Sequence, residues 1–204
     1  MARPTRWLTE TDDGHSQWYI ERFRRMAADG ADLVGEARTV DAMLPRRSRV
    51  LDAGCGPGRI GAELHARGHV VVGVDADAEL IAAAEEDHPG PRWVVADLAD
   101  LDLAALGEPE PFDGAVLAGN VIAFVAPGTE AEVLRRVAHH VADGGFVIVG
   151  FHVARLSTAA FDRAVLDAGL VAEHRFATWD LRAWHDDADF AVTVLRRRAG
   201  AQPS

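Results

Sequence analysis

The stretch Arg49-Val-Leu-Asp-Ala-Gly-Cys-Gly-Pro-Gly58 constrains the chain more than any other. An apolar run closes on a carboxylate and then breaks into glycines at alternate positions. A helical pattern follows. Strand, tight turn and helix in that order make the nucleotide-binding element of an α/β fold. Gly54 and Gly56 permit the turn and let a ligand approach the backbone, while Gly58 and Gly61 let the next helix pack against the strand. Asp52 stands where the strand ends and the ligand arrives, so it repels a pyrophosphate and attracts a positively charged ligand. Gly56-x-Gly58-x-x-Gly61 also satisfies the dinucleotide fingerprint, with Asp75 downstream as its ribose acid. The register opposes that reading, because Asp52-Ala53-Gly54-Cys55 comes between the apolar run and the fingerprint's first glycine.

Hydrophobic periodicity organises the rest. Ser16 is placed to cap a helix carrying Tyr19, Phe23 and Met26, broken by Gly30. Asp32 is placed to cap a second, with Leu33, Ala37, Val40 and Leu44 on one face and Pro45 beyond it. Strands are expected at 49–53, 70–74, 92–96, 113–118 and 146–150. Helices are expected at 58–67 and at 78–86, the latter capped by Asp77. Thr129-x-x-Glu132 reads as a capping box for a helix burying Val133, Leu134, Val137 and Val141. Ser157 or Thr158 would cap a helix carrying Phe161, Val165 and Leu166, ended by Gly169. Two last strands, 171–178 and 189–196, have no helix between them and so form an antiparallel hairpin. Alternating strands and helices imply a parallel sheet. The expected fold is therefore α/β and doubly wound. Its mostly parallel seven-stranded sheet has an antiparallel C-terminal hairpin and follows two N-terminal helices. It reads as a single domain over 1–204: a helical lid or flank at 1–45, a ligand-binding core at 48–152, and a C-terminal helix and hairpin at 153–204.

Val50-Leu-Asp-Ala-Gly-Cys-Gly-Pro-Gly58 resembles the first motif of class I S-adenosylmethionine-dependent methyltransferases. Val70-Val-Val-Gly-Val-Asp75 resembles that family's second strand with its ribose-binding acid, and Val94-Val-Ala-Asp97 its third with the adenine-contacting acid. Phe112-Asp-Gly-Ala-Val-Leu-Ala-Gly-Asn120 and Asp143-Gly-Gly-Phe-Val-Ile-Val149 resemble its fourth and fifth strands. The resemblance implies S-adenosyl-L-methionine as cofactor. Asp52 would hold the methionine ammonium, directly or through water, with backbone at Ala53, Gly54, Cys55, Gly56 and Gly58 around the methionine. Asp75, followed by Ala76, would accept both ribose hydroxyls. Asp97 and Leu98 would take the adenine edge, with Asp100 and Asp102 able to exchange roles with Asp97. Tyr19, on a helix that closes over the cofactor in such proteins, would contact the methionine end; its spacing is equally explained by packing.

The catalytic residue is not fixed by the sequence. Asn120 lies close to where the methyl group would be, yet the Asn-Pro-Pro-aromatic signature of many nucleobase and amide methyltransferases is replaced by Asn120-Val121-Ile122. Asn120 is as readily a turn residue. His152 follows the fifth strand, and His185 lies in the hairpin loop with Trp179, Arg182 and Trp184. These are the candidates for proton removal and for an acceptor pocket. His139 and His140 fit a helix end. No histidine and cysteine spacing suggests a metal site.

Composition narrows partners. The net charge is −11 and every Lys/Arg position is an arginine, a field that opposes polyanions. Arg22/Arg24/Arg25 and Arg196-Arg197-Arg198 read as solvated faces rather than a nucleic-acid platform. The single cysteine, Cys55, excludes an internal disulfide and suits a reducing compartment. Nothing resembles a signal peptide, and no apolar run is long enough to span a bilayer. The expectation is a cytoplasmic enzyme methylating a small molecule, without nucleic acid or membrane as partner. A non-catalytic cofactor-binding protein and a nicotinamide-dependent oxidoreductase are the rivals.

Overall fold

The computed structural model describes residues 4–12 and 14–197. A seven-stranded sheet has the order β3-β2-β1-β4-β5-β7-β6. Its strands are β1 (Arg49–Ala53), β2 (Val70–Asp75), β3 (Arg92–Val95), β4 (Phe112–Leu117), β5 (Val141–His152), β6 (Leu170–Phe176) and β7 (Phe190–Arg197). β1 to β5 run parallel; β7 is antiparallel to both β5 and β6. The chain crosses over between β3 and β4, which opens the switch point at β1 and β4 where ligands of such sheets bind.

Strand alternation sorts the core. Leu51, Ala53, Val72, Leu117 and Val149 face one side, where α7 (Glu130–His139) and α8 (Thr158–Asp167) contribute Val133, Leu134, Phe161 and Val165. Val50, Val71, Val116 and Ile148 face the other, against Ala37 and Val40 of α3 (Gly35–Ala42) and Ile60 and Leu64 of α4 (Arg59–Ala66). α5 (Ala78–Asp87) completes that side, with Ile81 and Ala84 against Trp93 of β3. Ser157 and Asp77 cap α8 and α5 as expected, accepting from the N–H groups of Ala160 and Glu79.

Several local expectations fail for identifiable reasons. A short helix, α1 (Arg6–Glu10), precedes the two expected ones, its Thr5 cap supplying the acceptor for Leu8 N. α2 (His15–Ala28) starts from Gly14, because the Ser16 hydroxyl is drawn to the Asp77 carboxylate instead. α3 starts at Gly35, while Asp32 pairs with Arg38. The capping box does not form. The Thr129 hydroxyl donates back to Ala126 O at 2.7 Å, and Glu132 pairs with Arg135 and Arg136. Val141 opens β5 rather than closing α7, so Asp143-Gly144-Gly145 becomes an irregularity within a long strand instead of a turn before a short one. Arg198, the end of the second basic cluster, lies outside the described residues.

Candidate active site

At the carboxyl edge, β1 hands the chain to the glycine turn. Gly54 and Gly56 have φ of +79° and +54°, the left-handed region that costs any residue with a Cβ. A Cβ at Gly54 would stand 2.4 Å from Val121 Cγ2, so Val121 lies directly on the turn. The N–H groups of Gly54 and Cys55 both donate to Val74 O, at 2.7 and 3.0 Å, fixing the turn to β2. Gly58 and Gly61 are explained by a residue that the sequence did not single out. A Cβ at Gly58, Gly61 or Gly73 would lie 2.9, 2.9 or 2.3 Å from the Trp93 ring. The indole needs these three gaps, and its Nε1 donates to His88 O at 3.0 Å. Gly58 thus serves packing and does not line the cleft.

Beyond the turn a cleft of about 870 Å³, including its open mouth, runs across the ends of β1, β2 and β4. Asp75 stands at the end of β2 in its wall. Its Oδ2 accepts from Gly56 N at 2.9 Å and its Oδ1 from Asp77 N at 3.0 Å. Burial pushes its carboxyl above the ordinary range, against these hydrogen bonds. A carboxylate has roughly four acceptor positions, so lone pairs remain for a diol. Asp97 also lines the cleft, with its Oδ1 accepting from Ala99 N at 2.8 Å and Leu98 beside it. Ala76 and Cys55 complete this wall; burial pushes the Cys55 thiol far up, so it is an inert filler.

Asp52 is placed differently from the expectation. It shares the face of Val50, is 1% exposed, and does not line the cleft. Its Oδ2 accepts from Gly61 N at 2.8 Å. Burial raises its carboxyl to about 7. The side chain holds the start of α4 beneath the turn, and any influence on a ligand ammonium passes through that turn or through water. Ala53 is fully buried and likewise lies behind the lining.

The N-terminal segment roofs the cleft. Thr5 and Trp7 from the α1 segment, and Tyr19 and Phe23 from α2, face it together with Val121 and Phe124 of α6 (Val121–Phe124). Trp7 meets Tyr19 and Phe124 edge-on at 5.3 and 5.7 Å. One buried carboxylate ties the roof down: Asp77 Oδ2 accepts from Trp7 Nε1 at 2.9 Å and from the Ser16 hydroxyl, while its Oδ1 caps α5. Arg59 reaches under the roof, but Glu36 holds it through two hydrogen bonds of 2.8 and 2.7 Å.

The expected acceptor residues do not meet here. Asn120 adopts φ +69° and its Oδ1 accepts from His152 N at 2.7 Å, stitching β4 to β5. It is a turn residue, outside the cleft lining. His152 stacks edge-on against Phe190 at 4.8 Å. His185 is exposed in the hairpin loop. That loop does reach the carboxyl edge, because β6 runs parallel to β1, but β6 is the outermost strand and the distance is lateral. Trp179 folds back over Gly150, accepting from the Thr39 hydroxyl through its carbonyl. Trp184 packs on the core under Arg175, 5.5 Å above its ring.

The cofactor implied by the resemblance fits these residues. A backbone cradle that a Cβ would fill lies beside a buried acid with unused lone pairs, and an apolar ledge leads to a second acid. Comparison with known proteins agrees. The methyltransferase-domain family profile matches residues 50–145. A TehB-like SAM-dependent methyltransferase from Corynebacterium glutamicum superposes with a TM-score of 0.85 at 38% identity, covering 92% of this chain and all of that one. The CcbJ methyltransferase of Streptomyces caelestis shares the fold, with a TM-score of 0.70 at 19% identity over 80% of this chain and 94% of its own. A malonyl-[acyl-carrier protein] O-methyltransferase of Pectobacterium atrosepticum is 38% identical over 65 residues, 31% of this chain. The chain spans only about a quarter of that relative's length (26%). With the cradle, the paired acids and a full-length relative in agreement, the chain belongs to the class I S-adenosylmethionine-dependent methyltransferases.

Proposed function

We propose that this protein transfers the methyl group of S-adenosyl-L-methionine to a small-molecule acceptor beneath the α1–α2 roof, acting as a single domain. The observation that carries this reading is the course of the cleft from Asp97 and Asp75, past the glycine turn, to an apolar chamber of Trp7, Tyr19, Val121 and Phe124. Asp97 and Leu98 would hold the adenine edge, Asp75 the ribose diol, and the Gly54–Gly56 backbone the methionine. The bound cofactor supplies an electrophilic methyl group on a sulfonium. The residues' own contribution is to hold donor and acceptor in line and keep water out, which accounts for large accelerations without proton transfer. The charge of −11 disfavours nucleic acid and supports a small acceptor. Among the described residues no helix is long and apolar enough to cross a membrane. A cytoplasmic setting is our reading from the single free thiol. The curated relatives are named as malonyl-[acyl-carrier protein] O-methyltransferases, and their match covers about a third of this chain (31% and 34%). Incubation with S-adenosylmethionine and a panel of small nucleophiles, with S-adenosylhomocysteine release followed chromatographically, tests the proposal. Absence of turnover together with absence of cofactor binding would remove it.

A further inference from the structure

The acceptor end of the cleft presents few polar side-chain groups, and most are already engaged. The Trp7 indole N–H is given to Asp77, and the Arg59 guanidinium to Glu36 and the Leu33 carbonyl. The Cys55 thiol faces the Gly56 carbonyl at 3.6 Å. Asp75 holds two N–H groups and Asp97 one. Tyr19 differs. Its ring lies over the turn, 3.7 Å from where a Cβ would stand at Gly56, and its hydroxyl is 3.9 Å from the same point at Gly119. Both glycines line the cleft, where the reading above would place the methyl group, and the hydroxyl has no hydrogen-bond partner among the described residues.

Charges of both signs act on that hydroxyl: Asp75 and Glu36 on one side, Arg59 and Arg22 on the other. Arg22 stacks on Phe23 at 5.8 Å and Arg155 on Phe124 at 4.8 Å, so each backs a ring that lines the cleft. Neither arginine has an ion-pair partner among the described residues. Burial, aided by the Asp75 and Glu36 carboxylates, keeps Tyr19 protonated against the pull of Arg59 and Arg22, so it offers a proton in a hydrogen bond rather than removing one.

We propose that the acceptor is a small anion, a carboxylate, phenolate or thiolate, whose nucleophilic oxygen or sulfur is positioned by a hydrogen bond from the Tyr19 hydroxyl. This deepens the methyltransferase reading above and rests on it. An oxygen or sulfur anion keeps a lone pair for attack while accepting that bond. The acceptor lone pair forms the bond to the methyl carbon, and the carbon–sulfur bond breaks with its electrons staying on sulfur. The sulfonium becomes a neutral thioether and the acceptor anion becomes neutral, so no proton has to leave. An amine would arrive as an ammonium, be repelled by Arg22 and Arg155, and need a base that the committed carboxylates do not provide.

The test compares thiophenolate, phenylacetate and benzylamine as acceptors in wild type and Tyr19→Phe. It also measures S-adenosylhomocysteine affinity by calorimetry, and the absorption band of 4-nitrothiophenolate bound to the S-adenosylhomocysteine-loaded protein. The expected result is turnover of an anion at least tenfold faster than of benzylamine. In Tyr19→Phe, kcat/KM for that anion falls at least tenfold, about 1.4 kcal/mol. S-adenosylhomocysteine affinity stays within twofold, and the band shift seen on wild-type binding is lost. Preference for benzylamine, or unchanged anion turnover in Tyr19→Phe, overturns the proposal. A parallel loss of S-adenosylhomocysteine affinity overturns it too, placing Tyr19 on the cofactor. Failure of wild type to bind S-adenosylhomocysteine at all strikes instead at the methyltransferase reading.

Discussion

Asp75→Ala separates the ligand-binding and structural parts of one carboxylate. On the ligand side, the ribose diol would give it two hydrogen bonds. Bonds to a charged group contribute about 1.5–3 kcal/mol each. Because neighbouring bonds are not additive, the smaller value sets the floor, and S-adenosylhomocysteine affinity should fall at least tenfold. On the structural side, the substitution strips the acceptor from Gly56 N and Asp77 N. Gly56 faces the cleft and water can replace its partner, whereas Asp77 N opens α5 and sits against the 7%-exposed Asp77. Leaving one buried donor unsatisfied costs about 1–3 kcal/mol. Removal of a carboxylate whose burial disfavours its charge offsets part of that. A net loss near 1 kcal/mol lowers the melting temperature of a chain of this size by about 2–4 °C. Calorimetric titration well below the transition then reads affinity on folded protein. An affinity within twofold of wild type, at any melting temperature, would refute the assignment of Asp75 to the ribose.

Other perturbations probe the remaining links. Burial raises Asp52 to about 7, well above its unfolded value near 4, so the folded state binds the extra proton between those values. Stability contributed by this group is therefore present below about pH 4 and is lost as pH rises toward 7, by roughly 4 kcal/mol at most. Asp52→Asn keeps the Gly61 acceptor and should flatten that fall in melting scans from pH 5 to 8; an unchanged pH profile would contradict it. Gly73→Ala places a Cβ 2.3 Å from Trp93 and should destabilise by about 1–3 kcal/mol in urea titration. Asp77→Ala removes the α5 cap and the roof's anchor, costing about 0.5–2 kcal/mol from the cap and exposing the α1–α2 segment to limited proteolysis before the sheet. Trp184→Ala should cost about 3–5 kcal/mol, or less where its partial exposure lets solvent in, and leave S-adenosylhomocysteine affinity unchanged.

The strands, the turn and the two strand-end acids were legible because each rests on local signals: period-two runs, φ-positive glycines, and carboxylates at the ends of apolar segments. Asp75 and Asp97 face the cleft because strand ends fix where they emerge. Asp52 reads the same way in sequence, yet alternation turns it toward α4 and Gly61, and a strand-end position alone does not reveal which face a side chain takes. The roof's anchoring on Asp77 joins Trp7 and Ser16 to a residue some sixty to seventy positions away, and no local pattern encodes it. Trp93 was equally silent, although three glycines, Gly58, Gly61 and Gly73, converge on it. The hairpin loop was correctly sent to the carboxyl edge, but its residues do not line the cleft. Chain direction is readable from connection lengths, whereas the position of β6 at the outer edge is a property of the whole sheet.

The most direct measurement is calorimetric titration of S-adenosylhomocysteine into the wild-type protein, paired with its melting temperature. The cleft described here predicts one-to-one binding in the micromolar range or tighter. At about a hundred times the dissociation constant the ligand stabilises by about 2.7 kcal/mol, a rise in melting temperature of roughly 5–10 °C. No binding heat and no shift would contradict the claim that Asp75, Asp97 and the Gly54–Gly56 turn form a cofactor site.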